Sequence, residues 1–276
     1  MRLLRFGAPG QERPGVLDRE GVVRDLSPLT KDIDASFLSA GMSRARDAIR
    51  DDSLPAVASV GRIGAPVARP GKIVGIGLNY ADHAAEAGVD PPSEAVVFLK
   101  ASSSTVGPYD DIELPRGSTH TDWEVEVGVV IGRTLRRAGT AAVALDAVAG
   151  YVTANDLTER ALAKQGPTWA KGKCHDTFCP VGPWLVTPDE VPDPQGLDLK
   201  LWVNGDLRQC SSTKQMIFGV GEQLRYLSDL MRLCCVVRSQ AMPRRDLGAW
   251  AGQMAGLSSS NAVANRNTGV ASTASS

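Results

Sequence analysis

Three carboxylate side chains recur at every second position of one short segment. Asp122, Glu124 and Glu126 lie within residues 119–132, and apolar residues occupy most of the intervening positions. Side chains alternate between the two faces of a strand, so the pattern predicts three carboxylates on one face. Like charges this close repel one another unless a cation gathers them. The segment therefore indicates either a hard divalent cation, which prefers oxygen ligands, or a solvated strand face with Lys or Arg neighbours.

A histidine and a glutamate form a second pattern that could do chemistry. Residues 78–88 are typical of a short helix that ends at Gly88, and His83 and Glu86 are three positions apart within it. That spacing places both side chains on one helix face. A carboxylate beside an imidazole orients the ring and raises its basicity, which a general base needs. The alternative is a surface His–Glu pair with no catalytic part.

Two further regions could complete such a site. Asp156 follows an apolar strand predicted over residues 147–153, so it could be a third oxygen ligand or could simply cap the next helix. Residues 169–184 include Lys173 among prolines and aromatic residues. Positive charge near a carboxylate cluster would suit an anionic substrate such as a keto acid. The alternative for this second region is a solvated basic loop.

The elements around these residues are mostly strands. A Gly- and Pro-rich stretch at residues 61–71 separates a small N-terminal domain, residues 1–66, from the region that carries the polar patterns. Asn204-Gly205 predicts a tight hairpin turn. We therefore expect a strand-rich α+β fold. Strands are predicted at 1–6, 21–26, 72–77, 96–100, 197–203 and 207–210, and helices at 43–50 and 212–233.

Composition narrows the class of protein. The chain has 276 residues, of which 43% are hydrophobic and 22% charged, and its formal net charge is −1. A chain with this net charge has no strong basic field, so we expect neither nucleic acid nor an anionic membrane as a partner. The five cysteines include no C-x-x-C pair, which argues against a disulfide framework or a zinc ribbon. We expect a cytoplasmic protein.

Together, these motifs resemble the fumarylacetoacetate hydrolase family. The resemblance covers residues 70–233 and depends on the series of motifs in family order, since each motif alone is weak. It implies a mixed β-sandwich roll with a small N-terminal domain, usually in a homodimer. The matching segments are residues 77–86, 98–100, 122–132, 155–160, 172–183 and 203–205.

The resemblance also implies a metal site. It makes Glu124, Glu126 and Asp156 the ligands of Mg²⁺ or Mn²⁺, with Ca²⁺ as a further candidate. Asp122 would then lie near the site without binding the metal directly. The metal would chelate a 2-oxo acid through its carboxylate and keto oxygens.

The remaining roles concern water and the anionic substrate. By resemblance, His83 and Glu86 are the dyad that activates water, and Lys173 faces the substrate carboxylate or enolate. Relatives with this form of N-terminal region hydrolyse acylpyruvates and 2,4-diketo-3-deoxy sugar acids to pyruvate and a second acid. Other relatives decarboxylate oxaloacetate or isomerise dienedioates. We expect the hydrolase reaction, with the lyase and the isomerase as alternatives on the same scaffold.

Two departures from the family pattern bear on this expectation. Ala161 and Ala163 stand where the family commonly has Asp and Gln, which removes an amide that could contact the substrate. From residue 234 onward, the family's Pro-Gly-Asp turn and Thr-Gly-Thr-Pro strand are missing. We expect residues 234–276 to be an atypical, disordered tail. An inactive metal-binding remnant is therefore a further alternative.

Overall fold

A computed structural model describes residues 1–234 and the backbone of residues 236–240. The strands are β1 Arg2–Phe6, β2 Arg13–Leu17, β3 Val23–Asp25, β4 Ile63–Gly64, β5 Lys72–Gly77, β6 Val96–Lys100, β7 Thr105–Val106, β8 Thr121–Asp122, β9 Val125–Ile131, β10 Val148–Asn155, β11 Thr158–Glu159, β12 Cys179–Pro180, β13 Leu185–Val186, β14 Asp198–Val203, β15 Asp206–Ser212 and β16 Val236–Gln240. The helices are α1 Met42–Arg50, α2 Ala81–Ala87, α3 Ala141–Leu145, α4 Arg160–Ala163, α5 Ala170–Lys173 and α6 Val220–Leu230.

The largest sheet joins the N-terminal strands to the strands that carry the carboxylates. Its order is β3-β2-β1-β13-β10-β9, and β4 pairs with β1 at one side. Strand β1 pairs with β13 through Arg2 and Val186, so strands on both sides of residue 66 share one sheet. The strand-rich α+β class is confirmed, whereas the domain boundary at residue 66 stays a prediction.

Two smaller sheets complete the region around the polar residues. Strand β5 pairs antiparallel with β6 and parallel with the backbone of β16. Strands β14 and β15 form the predicted hairpin, and its turn residues Asn204 and Gly205 both have positive φ. Positive φ at both central positions is what a tight type I′ turn requires, and Asn-Gly tolerates it well.

The main apolar core lies between β9, the β14–β15 hairpin and helix α6. Val125, Val127 and Val129 extend from one face of β9, and each is at most 4% exposed. Leu224 and Leu227 of α6 pack into the same cluster. Burying side chains of this size contributes about 1.5–3 kcal/mol each, so the strand that carries the carboxylates is anchored by its opposite face.

Three predicted elements differ from the structure. The strand predicted over residues 119–132 is interrupted at residues 123 and 124, because β8 pairs with β11 while β9 pairs with β10. The helix predicted over residues 212–233 is shorter, since Ser212 caps a 3₁₀ turn at Thr213–Gln215 and α6 begins at Val220. The disorder expected from residue 234 does not hold for the backbone of β16. Residues 235 and 241–276 lie outside the described residues, so disorder there stays a prediction.

No helix among the described residues is long and apolar enough to cross a membrane.

Candidate active site

Strands β9 and β10 bring the first carboxylates together. Glu124 lies just before β9, and its backbone N–H donates to Asn155 Oδ1 at 3.0 Å. Its carbonyl oxygen accepts the N–H of Asp156 at 2.8 Å, and Glu126 is in register with Ala154. Backbone pairing thus fixes Glu124 beside Asp156, although the two residues are more than 30 positions apart in the chain. Asp156 does not cap the next helix, because Glu159 does so with its own side chain.

These carboxylates are deeply buried. Glu124 is 1% exposed, and Glu126 and Asp156 are each 0% exposed. Lys173 lies between two of them, with Nζ donating to Glu124 Oε2 at 2.8 Å and to Asp156 Oδ2 at 2.7 Å. Its third hydrogen bond goes to Thr158 Oγ1 at 2.9 Å. Burial alone would lower the pKa of Lys173, but the charges of Asp156 and Glu124 outweigh burial and raise it, so the ammonium stays protonated.

A second lysine holds Asp156 from the other side. Lys100, at the end of β6, has Nζ 2.6 Å from Asp156 Oδ1 and donates to the carbonyl oxygen of Leu157 at 3.0 Å. Burial would raise the pKa of Asp156, but the charges of Lys100 and Lys173 lower it to about 2. Asp156 therefore stays ionised, although no part of it reaches water.

Arg160 forms the outer part of the cluster. Its Nε donates to Asp122 Oδ2 at 2.7 Å, and its Nη2 pairs with both Asp122 and Glu124. About a third of its side chain remains exposed (32%), so it marks the side of the cluster that faces solvent. Asp122 thus holds Arg160 in place and stands near the other carboxylates, as the resemblance implied.

Helix α2 carries the histidine of the second pattern. Leu78, between β5 and this helix, has a φ of 53°, an unusual conformation for a residue with a side chain. Tyr80 is fully buried and forms a bridge with Met216, which anchors the start of the helix. Gly88 ends it in the left-handed conformation, as predicted. The helix is therefore held firmly at its beginning.

His83 and Glu86 lie on one face of α2, as their spacing predicted. His83 Nδ1 is 3.8 Å from Glu86 Oε2, which is longer than a hydrogen bond. Burial lowers the pKa of His83, while the charges of Glu124, Glu86 and Asp82 raise it and the charge of Arg160 lowers it. These interactions place the imidazole within electrostatic reach of the carboxylate cluster. The net direction favours a neutral ring at neutral pH, which can accept a proton.

The donor set suits a hard divalent cation in its chemistry. Within residues 1–234, no group of three His, Cys, Asp or Glu side chains is arranged to hold a metal ion, and Lys173 lies between Glu124 and Asp156. The donors are nevertheless all carboxylate oxygens, which Mg²⁺ and Mn²⁺ prefer, and all three side chains are buried. Counted at formal charge, Asp122, Glu124, Glu126 and Asp156 carry one more charge than the three neighbouring cations, Lys100, Lys173 and Arg160. An added cation would therefore be accommodated.

The structure brings the six predicted site residues to one region. Three of its other members were not predicted as site residues, namely Lys100, Thr158 and Gln209. Lys100 ends an apolar strand, where a charged residue with a buried stem is a usable signal. Gln209 occupies an inward position of β15 opposite Leu201. The alternation of side chains along the predicted hairpin places it on the buried face, so the sequence could have indicated a buried polar residue there. Thr158 gives no such signal, because threonine is common in strands.

Comparison with known proteins identifies the family. Residues 72–235, more than half of the chain, match the family model described as fumarylacetoacetate (FAA) hydrolase C-terminal. The chain belongs to the fumarylacetoacetate hydrolase family. The matched region contains every residue of the predicted site.

Individual relatives carry more specific names. The chain is 51% identical over 234 residues to the 2,4-didehydro-3-deoxy-L-rhamnonate hydrolase of Sphingomonas sp. (strain SKA58), covering 84% of this chain and 80% of that protein. A maleylpyruvate hydrolase from Sphingobium sp. SYK-6, solved with manganese(II) and pyruvate, is similar with 30% identity and a TM-score of 0.73 over 88% of this chain and 89% of that one. A probable 2-hydroxyhepta-2,4-diene-1,7-dioate isomerase from Mycobacterium abscessus is 32% identical, with a TM-score of 0.71 over 88% and 86% of the two chains.

Proposed function

We propose that this protein is a divalent-metal-dependent hydrolase that cleaves a C–C bond of a 2,4-diketo acid to give pyruvate and a second acid. A sugar-derived 2,4-diketo-3-deoxy acid is the favoured substrate. The observation that carries the proposal is the buried carboxylate cluster bridged by Lys173, together with His83 and Glu86 on one face of helix α2. Similarity to the Sphingomonas hydrolase supports the choice of substrate class.

Glu124, Glu126 and Asp156 would hold Mg²⁺ or Mn²⁺, with Ca²⁺ as a further candidate. When bound, the metal would supply Lewis-acid polarisation of the 2-oxo acid and charge stabilisation. The manganese in the maleylpyruvate hydrolase supports a divalent ion of this type. Arg160 would retain Asp122 as its partner, which leaves Asp122 outside the ligand set.

The chain's own groups would handle the proton and the developing negative charge. Nδ1 of His83 faces Glu86, so Nε2 would accept a proton from water as its oxygen adds to the carbonyl at C4. The C3–C4 bond then breaks, and its electron pair passes to C3 as the pyruvate enolate. Lys173, which contacts Glu124 and Asp156, would give up those contacts to the metal, and its ammonium would stabilise that charge. Protonation of C3 completes the reaction.

The test is metal-dependent release of pyruvate. The purified protein, stripped with a chelator and reconstituted with Mg²⁺ or Mn²⁺, is supplied with an acylpyruvate and a 2,4-diketo-3-deoxy sugar acid. We expect pyruvate and the second acid in equal amounts, only with metal. Turnover that is equally fast after complete metal removal would contradict the metal requirement. No pyruvate from either class would contradict hydrolysis of diketo acids.

A lyase or isomerase on the same scaffold is the second candidate. The similarity to the Mycobacterium abscessus isomerase favours it, because the same cluster could stabilise an enolate without hydrolysis. Oxaloacetate decarboxylation needs no activated water, so it would survive His83→Ala. Release of CO₂ from oxaloacetate with no cleavage of diketo acids would favour this candidate.

A non-catalytic remnant is the third candidate, motivated by the sequence departure from residue 234. Mn²⁺ binding without turnover of any diketo acid or of oxaloacetate would favour it. The expected homodimer is also a proposal, and sedimentation equilibrium of the purified chain tests it.

A further inference from the structure

Strand β15 presents two polar side chains on the face that packs into the protein. Gln209 is opposite Leu201 and Ser211 is opposite Leu199, and both leucines are buried. Side chains alternate along a strand, so Cys210 lies on the other face. Inward positions usually carry apolar residues, but here one of them carries Gln209, whose side chain is polar although it is 0% exposed. Gln209 therefore needs a partner in the interior, whereas Ser211 is only half-buried.

Gln209 binds the backbone that carries two of the carboxylates. Its Oε1 accepts the N–H of Val125 at 2.8 Å. Val125 lies directly between Glu124 and Glu126, at the start of the last strand in the order of the main sheet. A buried N–H on an edge strand must find an acceptor, and the side chain of Gln209 provides one. The position from which both glutamates extend thus depends on β15.

Ser211 binds the helix that carries His83. Its hydroxyl donates to Asp82 Oδ2, and Asp82 Oδ1 accepts the backbone N–H of His83 at 2.9 Å. Asp82 is in the first turn of α2, so this contact ties the catalytic helix to the hairpin. The chain of contacts runs from Ser211 through Asp82 to the residue proposed as the base.

We propose that strand β15 sets the spacing between the two halves of the active site, with Gln209 as the positioning residue for the carboxylates and Ser211 as the positioning residue for His83. The inference rests on the proposed function for the chemistry that this spacing serves. The two side chains are two residues apart on one strand, a fixed separation of roughly 7 Å. Because both anchors belong to one rigid element, the base cannot move relative to the carboxylates without breaking one of these hydrogen bonds.

The first experiment removes the helix anchor. In Ser211→Ala, we expect amide hydrogen exchange in α2 to accelerate and kcat on a diketo acid to fall by about tenfold to a hundredfold, because the base is less well placed. KM and Mn²⁺ affinity should stay unchanged. Ser211→Thr keeps the hydroxyl and should restore kcat. Cys210→Ala, one position along on the opposite face, is the matched control and should leave all readouts unchanged.

The second experiment removes the carboxylate anchor. In Gln209→Met, which keeps the size but loses the acceptor, we expect Mn²⁺ to bind about tenfold more weakly, as measured by electron paramagnetic resonance of free Mn²⁺. Amide exchange in α2 should stay as in the unaltered protein. If Gln209→Met does not fold, Gln209→Asn provides the same comparison. The asparagine side chain is polar like that of glutamine but is too short to reach Val125.

The inference requires that Ser211→Ala and Gln209→Met have different effects, the first on amide exchange in α2 and the second on Mn²⁺ affinity. Equal effects on helix exchange and on Mn²⁺ affinity would overturn it, since β15 would then be only a general structural support. Failure of Ser211→Thr to restore kcat would overturn the role of Ser211. A further outcome is that neither the unaltered protein nor any variant hydrolyses a diketo acid while Ser211→Ala still changes only helix exchange and Gln209→Met only Mn²⁺ affinity. In that case the proposed function fails and the positioning role of β15 stands.

Discussion

The two halves of the candidate active site are built in opposite ways. The carboxylate half belongs to the sheet, where Glu124 and Asp156 are at most 1% exposed and are held by Lys173 from a third element. The histidine half belongs to the seven-residue helix α2, where the side chains of His83 and Glu86 are 20% and 25% exposed. No hydrogen bond joins His83 Nδ1 to Glu86, whose nearest oxygen is 3.8 Å away.

Because of this difference, we expect the carboxylate half to affect mainly stability and the histidine half to affect mainly turnover. Charges buried in the sheet must be paired before the protein can fold, so their interactions contribute to the free energy of unfolding as well as to any metal site. A short helix held at its beginning can open locally at little cost to the whole protein. Changes in the sheet half should therefore lower stability, and changes in the helix half should lower turnover.

The largest effect is expected for Asp156→Asn. Removing this charge leaves Lys100 buried beside a neutral group and Lys173 with Glu124 alone, and breaking a buried ion pair costs about 3–5 kcal/mol. Urea denaturation should show a loss of this size. Because the folded-state pKa of Asp156 is lowered from 3.8 to about 2, its stabilisation is present above the ordinary value and is lost as the pH falls towards 2. The difference between the two proteins should narrow over that range.

Asp229→Asn is the matched control for this change. Asp229 pairs with Arg225 on the surface of α6 at 3.7 Å, and both side chains are about half exposed (51% and 44%). Its loss should cost less than about 1 kcal/mol. Equal destabilisation by the two variants would contradict the view that the carboxylate half is coupled to folding.

The second effect concerns turnover alone. His83→Ala should lower kcat for hydrolysis by about 10²–10⁴-fold, because general-base catalysis contributes that much. The urea midpoint and the Mn²⁺ affinity should be nearly unchanged. His120→Ala, at an exposed histidine, serves as the control and should retain activity. Full hydrolytic activity in His83→Ala would exclude this residue as the base.

A smaller effect is expected in the pH dependence. Because burial lowers the pKa of His83, the acidic limb of kcat/KM should lie below pH 6.5, the ordinary value for histidine. The charge of Glu86 raises that pKa, so Glu86→Gln should move the limb to lower pH, and the partial exposure of Glu86 keeps this effect small. A shift to higher pH would show that Glu86 does not stabilise the charged ring.

The smallest loss of turnover is expected at the end of α2. Gly88 has a φ of +66°, where alanine is strained by about 1–2 kcal/mol. Gly88→Ala should loosen the helix and lower kcat a few-fold while the melting temperature changes little, because α2 can open alone. Gly21→Ala places similar strain in a distant turn with a φ of +82° and should leave kcat unchanged. Equal losses of kcat would remove the special role of the helix.

Several features of the site followed from local patterns. Alternation predicted the carboxylates of residues 122–126, and a spacing of three predicted the contact face of His83 and Glu86. Gly88 predicted the helix end, and Asn204-Gly205 predicted the hairpin. The resemblance to the family added the roles of these residues, and the comparison confirmed the family. Those roles stay predictions for this chain.

Tertiary structure decided the contacts that no local period encodes. Arg160 and Asp122 are 38 positions apart, and Gln209 and Val125 are 84 apart. Their pairing depends on which strands become neighbours, and it provides partners for polar groups that would be costly to bury alone. The sequence by itself determined which side chains could do chemistry. Only the folded chain placed Lys173 between two carboxylates and made β15 the link between the sheet and helix α2, because both arrangements arise from contacts between distant segments.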